Sequence, residues 1–183
     1  LFRSSAASDV YKRQVSVWSN ILKKINNSKL ILKTSSKKHA SERIKELFNN
    51  SGVLNSIKFI EREKEFKNHL DQYKQIDIAL DTFPYNGVTT SFEAIWMGVP
   101  VITMAGYNFN SRCGESINKN LNMEQLIAKD DEDYIQKVVN LSNNHDDYIN
   151  LRKSIFLDAT ESPLFNSQDY SKSFFEALEQ IVE

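Results

Sequence analysis

The chain has 183 residues, 40% of them hydrophobic and 26% charged, with a formal net charge of −1; these values fit one folded domain and exclude a disordered or fibrous chain. Lys23, Lys24, Lys29, Lys33, Lys37 and Lys38 cluster early, but Asp130, Asp131, Asp133, Asp146 and Asp147 balance them later, so nucleic acid is not an expected partner. The lone Cys113 forms no disulfide within the sequence and no apolar run approaches the length of a membrane span, which makes the cytoplasm the expected location.

The sequence opens with Leu1, and Leu1 to Gln14, "LFRSSAASDVYKRQ", has neither clear amphipathic periodicity nor the layout of a signal peptide. It is expected to be a non-native segment, which leaves residues 15–183 as the domain. From Val15 to Ile25, the residues Val17, Trp18, Ile21, Leu22 and Ile25 recur at spacings of three and four, one face of a helix. The helix is expected to stop at "NNS". "KLILKT" from Lys29 to Thr34 reads as a strand, and a helical pattern through Ile44, Leu47 and Phe48 ends at Gly52, a plausible C-cap.

The alternation continues with a strand at Ile57–Ile60, a helix at Phe66–Tyr73, a strand at Ile76–Asp81, a helix at Ser91–Met97 and a strand at Val99–Gly106. A helix through Ile117 and Leu121, a short strand in "QLIA" and helices at Asp131–Leu141, Asp147–Ala159 and Gln168–Val182 complete the chain. Strands separated by helices of this size imply parallel crossovers, because a parallel neighbour is reached only by a long return over the sheet. The expected fold is α/β, a doubly wound Rossmann-like parallel sheet.

Open parallel sheets bind ligands outside the carboxyl ends of their strands. "DTFPYNGVTTSFEAIWMGVP", Asp81 to Pro100, lies at such an end: an aliphatic strand delivers Asp81, a turn follows, and Thr89 and Thr90 open a helix. A helix N-terminus offers unpaired N–H groups and a partial positive charge, which suits a phosphate. No Lys or Arg lies between Asp81 and Pro100, so these dipoles would carry the anion with help from elsewhere. "TSFE" also fits a capping box, with Thr90 as N-cap and Glu93 reaching back; alternatively Glu93 accepts hydrogen bonds from a ribose. His69, one helical turn before Tyr73, reads as a packing residue or as a ring that stacks on a base. Asp77 and Asp81 read as polar groups at the strand end rather than a catalytic pair. Tyr107, Phe109 and Arg112 form a second polar-aromatic loop, and Arg112 is a candidate anion contact. The three histidines and one cysteine lack metal-site spacing.

The long stretch "DIALDTFPYNGVTTSFEAIWMGVPVITMAG", followed by "SRCG", "QLIAKD", "DYI" and "SPLFN", resembles the carboxyl-terminal lobe of the O-linked N-acetylglucosamine transferase family, its SPINDLY-like group. The likeness spans nearly all of Val15 to Glu183. It implies the second lobe of a two-lobed GT-B glycosyltransferase, with UDP-N-acetylglucosamine as donor and no cofactor or essential metal. An acceptor Ser or Thr would attack the anomeric carbon with inversion while UDP departs. By the same resemblance Thr89 and Thr90 contact the diphosphate, Glu93 holds the ribose and His69 contributes to the uridine pocket. The family's catalytic lysine precedes the helix that here carries Trp18; its register falls near Asp9, and Lys12, next to Tyr11, comes too late, so no catalytic residue is assigned. The first lobe, the acceptor-protein surface and any tetratricopeptide repeats would lie outside this sequence, which would then be a fragment. Val88 and Gln72 depart from the family pattern, Gln72 standing where some members have an arginine against the base. The alternatives are a nucleotide-sugar epimerase, which the central motif disfavours, and a non-catalytic α/β nucleotide- or protein-binding module.

Overall fold

A computed structural model describes residues 2–33, 38–61 and 63–182, and the side chains of 12–33, 42–61 and 63–181. Thr34, the expected end of the first strand, and Lys37 lie outside the described residues, as do the side chains of Asp9, Tyr11, Lys38 and His39.

Helix α1 (Phe2–Lys24) leads into β1 (Leu30–Lys33), α2 (Lys38–Asn50), β2 (Ile57–Ile60) and α3 (Phe66–Asp71). Then come β3 (Ala79–Leu80), α4 (Thr89–Trp96), β4 (Val101–Met104), α5 (Cys113–Asn120) and β5 (Ile127–Ala128). Helices α6 (Asp131–Asn143), α7 (His145–Glu161) and α8 (Ser167–Val182) follow. All strand pairs are parallel, in the orders β1-β2 and β3-β4-β5. The α/β architecture and its crossovers are therefore as expected, but among the described residues the hydrogen-bonded ladder divides into two sheets instead of running as one.

Local chemistry sets the element ends. Asn27 has a φ of 59° beyond α1, and Gly52 and Gly98 take φ of 72° and 69° beyond α2 and α4, the left-handed conformation that stops a helix at little cost. Behind Gly98 the Val99 N–H returns to the Ala94 carbonyl at 2.8 Å. Asp130 caps α6 by accepting the Asp133 N–H at 2.9 Å, and Asn144 caps α7 through Asp147. The expected strand at Ile76–Asp81 is shorter than its apolar run, because Gln72–Gln75 forms a 3-10 turn and the Ile76 N–H bonds back to Tyr73.

The core centres on β4, buried at every position, between Ile95, Val99, Ala128, Tyr134 and Ile155, each essentially inaccessible. Helix α1 adds Val15, Val17, Trp18 and Ile21. The expected domain boundary at residue 15 falls inside α1, where Arg13 and Gln14 already take part in packing. Arg13 pairs with Asp131 at 2.7 Å and lies 5.2 Å over the Phe83 ring. Gln14 is buried and its Oε1 accepts the Phe83 N–H at 2.9 Å. Among the described residues, no helix is long and apolar enough to cross a membrane.

Candidate functional site: a cleft at the strand ends beside helix α4

The turn between β3 and α4 is organised by two buried side chains. Asp81 is 5% exposed; its Oδ1 accepts the N–H groups of Thr82 at 2.9 Å and Gly87 at 2.7 Å, and its Oδ2 accepts the Thr103 hydroxyl at 2.7 Å. Asn86 Nδ2 donates to the Thr82 carbonyl, its Oδ1 accepts the Gly114 N–H and its own N–H reaches Asn110. Thr82 donates its hydroxyl to the Tyr85 carbonyl, and Ser91 donates to that of Gly87. Burial pushes the Asp81 carboxyl up to about 6, against the downward pull of Thr103, Gly87 and Thr82. Tyr134 donates its hydroxyl to the Asp81 carbonyl at 2.9 Å, and complete burial, followed by the Asp81 charge, holds its phenol well above the usual range. Asp81 is thus a buried bracket and not merely a polar strand end, whereas Asp77 is exposed and accepts from Tyr148 at 3.1 Å.

This bracket delivers the chain to α4. The capping box considered for Thr90 and Glu93 does not form: the helix begins two residues earlier than that box requires, its N-cap is Val88, and no side chain caps it. Glu93 is drawn away by a stronger set of donors. Its Oε2 accepts from His69 Nε2 at 2.8 Å and from the Tyr73 hydroxyl at 3.0 Å. Lys33 Nζ meets His69 Nδ1 at 2.5 Å; an ammonium can only donate, so Nδ1 is the acceptor and the ring proton sits on Nε2, facing Glu93. The Tyr73 ring also packs edge-on to His69, centroids 5.8 Å apart. Desolvation, then the bond to Glu93, raises the Tyr73 phenol above its ordinary range.

These groups line a cleft of about 710 Å³ together with Ile31 and Lys33 of β1, Ile60 at the end of β2 and Thr90 of α4. The volume is ordinary for a small-molecule site. His69, Thr90 and Glu93 are brought together there; Thr89 is exposed on the first turn of α4 but is not part of the lining. Arg112 does not reach the cleft, being paired with Glu115 at 2.9 Å, and Tyr107 and Phe109 are exposed in the following loop. Tyr73, Lys33 and Gln72 also line the cleft. The helical spacing of Tyr73 from His69 hinted at the first of these; nothing local pointed to the pairing of Lys33 with His69. A larger groove, about 1040 Å³, runs between α6 and α7 past Lys137, Asn140 and Asp147 and holds none of the expected residues. Among the described residues no group of three or more His, Cys, Asp or Glu is placed to hold a metal ion.

The chain is 29% identical over 164 residues to the tomato (Solanum lycopersicum) protein described as a probable UDP-N-acetylglucosamine–peptide N-acetylglucosaminyltransferase SPINDLY, covering 86% of this chain and 17% of that protein. It is 32% identical over 155 residues to the protein of the same description from Eustoma exaltatum subsp. russellianum, covering 81% and 16%. A solved structure of a mutant Thermobaculum terrenum O-GlcNAc transferase superposes with a TM-score of 0.84 at 25% identity, over 91% of this chain and 32% of that one. That likeness identifies the fold as a GT-B-like Rossmann lobe. The chain thus spans about a sixth of the length of the curated relatives it matches. Residues 8–174 match the profile of glycosyl transferase family 41, and the chain belongs to that family of SPINDLY-like and O-GlcNAc transferases.

Proposed function

We propose that this chain is the nucleotide-sugar-binding lobe of a protein O-glycosyltransferase, with UDP-N-acetylglucosamine as donor substrate and Ser or Thr of acceptor proteins as the receiving groups. The observation that carries this reading is that α4, uncapped by any side chain, opens onto the cleft holding His69, Tyr73 and Glu93. Backbone N–H groups at such a terminus suit a diphosphate, and Thr89 and Thr90 add hydroxyl donors. Both bonds to Glu93 fall on Oε2, which leaves Oε1 to accept from ribose hydroxyls. The His69 ring, held by Lys33 and Glu93, offers an aromatic edge or face to the uracil.

In the reaction, charge develops on the diphosphate as the glycosidic bond breaks. Preorganised donors at the start of α4 would stabilise that charge without reorganising. No residue of this chain is assigned as the base, and acceptor proteins would engage regions outside it, tetratricopeptide repeats included. The 183-residue chain alone is expected to bind donor and transfer nothing, since an acceptor cannot be positioned by one wall of a two-walled site.

The test is calorimetric titration of UDP, with ADP and GDP as controls, into the chain and its Thr89→Ala, Thr90→Ala double variant. Uridine-selective binding that the variant loses is expected. Absence of heat with any nucleotide from a folded chain would sink the reading and favour a binding module without sugar chemistry.

A further inference from the structure

Among the described acids Asp81 alone is buried, and no lysine or arginine of the described residues pairs with it; its partners there are two backbone N–H groups and a hydroxyl. A buried carboxylate without a counter-cation is costly, so its retention calls for a return. The return visible here is geometric. Oδ1 ties the first residue after the strand to Gly87, while Oδ2 ties both to β4 through Thr103. Gly87 is held from its other side as well, its carbonyl accepting the Ser91 hydroxyl. Thr89 follows two residues later. Space for the carboxylate is kept by Gly114 on α5, where a Cβ would lie 2.5 Å from Asp81 Oδ2.

We propose that Asp81 is the positioning residue for the diphosphate end of the cleft: by holding the Gly87 N–H against β3 and β4 it sets the entry to α4 and the N–H groups of Thr89 and Thr90. The proposal rests on the nucleotide-sugar reading of the cleft. It adds that the hold is linked to protons. A diphosphate at α4 would be a second anion, two residues beyond the Gly87 N–H that Asp81 Oδ1 accepts at 2.7 Å, beside a carboxylate already pushed up to about 6, and like charges raise each other's proton affinity. Donor affinity therefore rises as the pH falls through that range. The neighbouring groups do not supply the same dependence at Asp81: Tyr134 stays a neutral phenol, Arg13 on α1 is paired with Asp131 on α6, and Arg112 with Glu115 on α5. His69 and Glu93 belong to the cleft itself, so a comparison with Asp81→Asn isolates the Asp81 contribution.

The experiment uses the 183-residue chain with Asp81→Ala, Asp81→Asn and Thr103→Val, each checked for folding by circular dichroism. Amide hydrogen exchange is read over residues 82–91, and UDP-N-acetylglucosamine, whose diphosphate diester does not itself titrate there, is titrated on either side of pH 6. Exchange over 82–91 is expected to quicken in Asp81→Ala and Thr103→Val while the rest of the chain is unchanged. Affinity is expected to weaken on the order of tenfold in Asp81→Ala and Thr103→Val, the size of one lost net hydrogen bond, and the pH dependence to vanish in Asp81→Asn. If Asp81→Ala does not fold, the other two variants carry the same readouts. Unchanged exchange at 82–91 overturns the proposal whatever the nucleotide does, as does faster exchange with unaltered affinity and pH profile. A wild-type chain that protects 82–91 yet binds no nucleotide sugar overturns the functional reading, and the role at a diphosphate with it.

Discussion

The two walls of the cleft are built on opposite principles. The wall formed by the turn after β3 and by α4 is braced from below by Asp81, Asn86 and Ser91, all buried, through bonds that reach β4 and α5. The wall formed by α3 and Gln72–Gln75 contains no buried residue and is held by side chains that meet inside the cleft: Lys33, His69, Glu93 and Tyr73. The first wall presents backbone groups, whose directions are useful only if the chain cannot move. The second presents side chains that can exchange partners when a ligand arrives. Fixed dipoles for a charged, invariant group and adaptable side chains for the rest is the division expected of a preorganised anion site.

The comparison breaks most severely at Gly114. A Cβ there would overlap the Thr103 side chain and lie 2.5 Å from Asp81 Oδ2, with a strand behind it that cannot yield. Gly114→Ala is expected to cost about 3–4 kcal/mol, at the upper end of overpacking effects, measurable as a shift of the urea midpoint at unchanged slope. A change under about 1 kcal/mol would show that the braced wall has slack.

Next comes the pH dependence of stability. The Asp81 carboxyl rises from 3.8 to about 6 on folding, so the unfolded chain loses this proton first. The associated stability is fully present below pH 3.8 and is lost as the pH rises through 6. The limit is about 3 kcal/mol for a rise from 3.8 to about 6. Subtracting the urea-derived stability of Asp81→Asn from that of the parent across this range should expose the slope; parallel curves would contradict it.

Much of this fold was open to reading in the sequence because it is written in short-range signals. β2 was expected at the residues where it lies, and α6, α7 and α8 within two residues of their starts, since apolar periodicity and caps such as Asp130 act locally. The site was legible only in part. Thr90 and Glu93 both line the cleft, but the choice between capping and ligand roles for Glu93 depends on donors 20 and 24 positions away, Tyr73 and His69. A capping pattern competes with tertiary partners, and here the tertiary partners win. Burial of Asp81 was equally invisible: an acid at a strand end ordinarily faces water, and the residues that cover its Oδ2, Thr103 and Gly114, are brought over it by the crossovers.

The contacts that hold the adaptable wall against α4 should respond differently. Glu93→Ala removes no cap and frees two partly buried donors, each able to turn to water, so the stability loss should stay near 1 kcal/mol. Donor affinity should nevertheless fall on the order of tenfold, as expected for loss of a charged acceptor. Thermal denaturation together with titration of UDP separates the two; a large loss of stability at unchanged affinity would restore a structural role for Glu93.

The smallest effect is expected at Gln72, which lines the cleft on the adaptable side. The stretch from Asp81 to Pro100 contains no cation; of the lysines that line the cleft, Lys33 is committed to His69 and Lys64 lies exposed ahead of α3, so an added guanidinium would bring a further charge to a diphosphate held largely by dipoles. Gln72→Arg sits on a wall with no buried residue and should fold unchanged. Because the new charge is partly exposed, its attraction is screened, and the gain should be about threefold in donor affinity at low salt. It should shrink towards nothing as salt is raised above physiological strength. A gain that persists in high salt would mean that the arginine stacks on the base instead of steering the phosphates, and the adaptable wall would then be the one that selects the nucleotide.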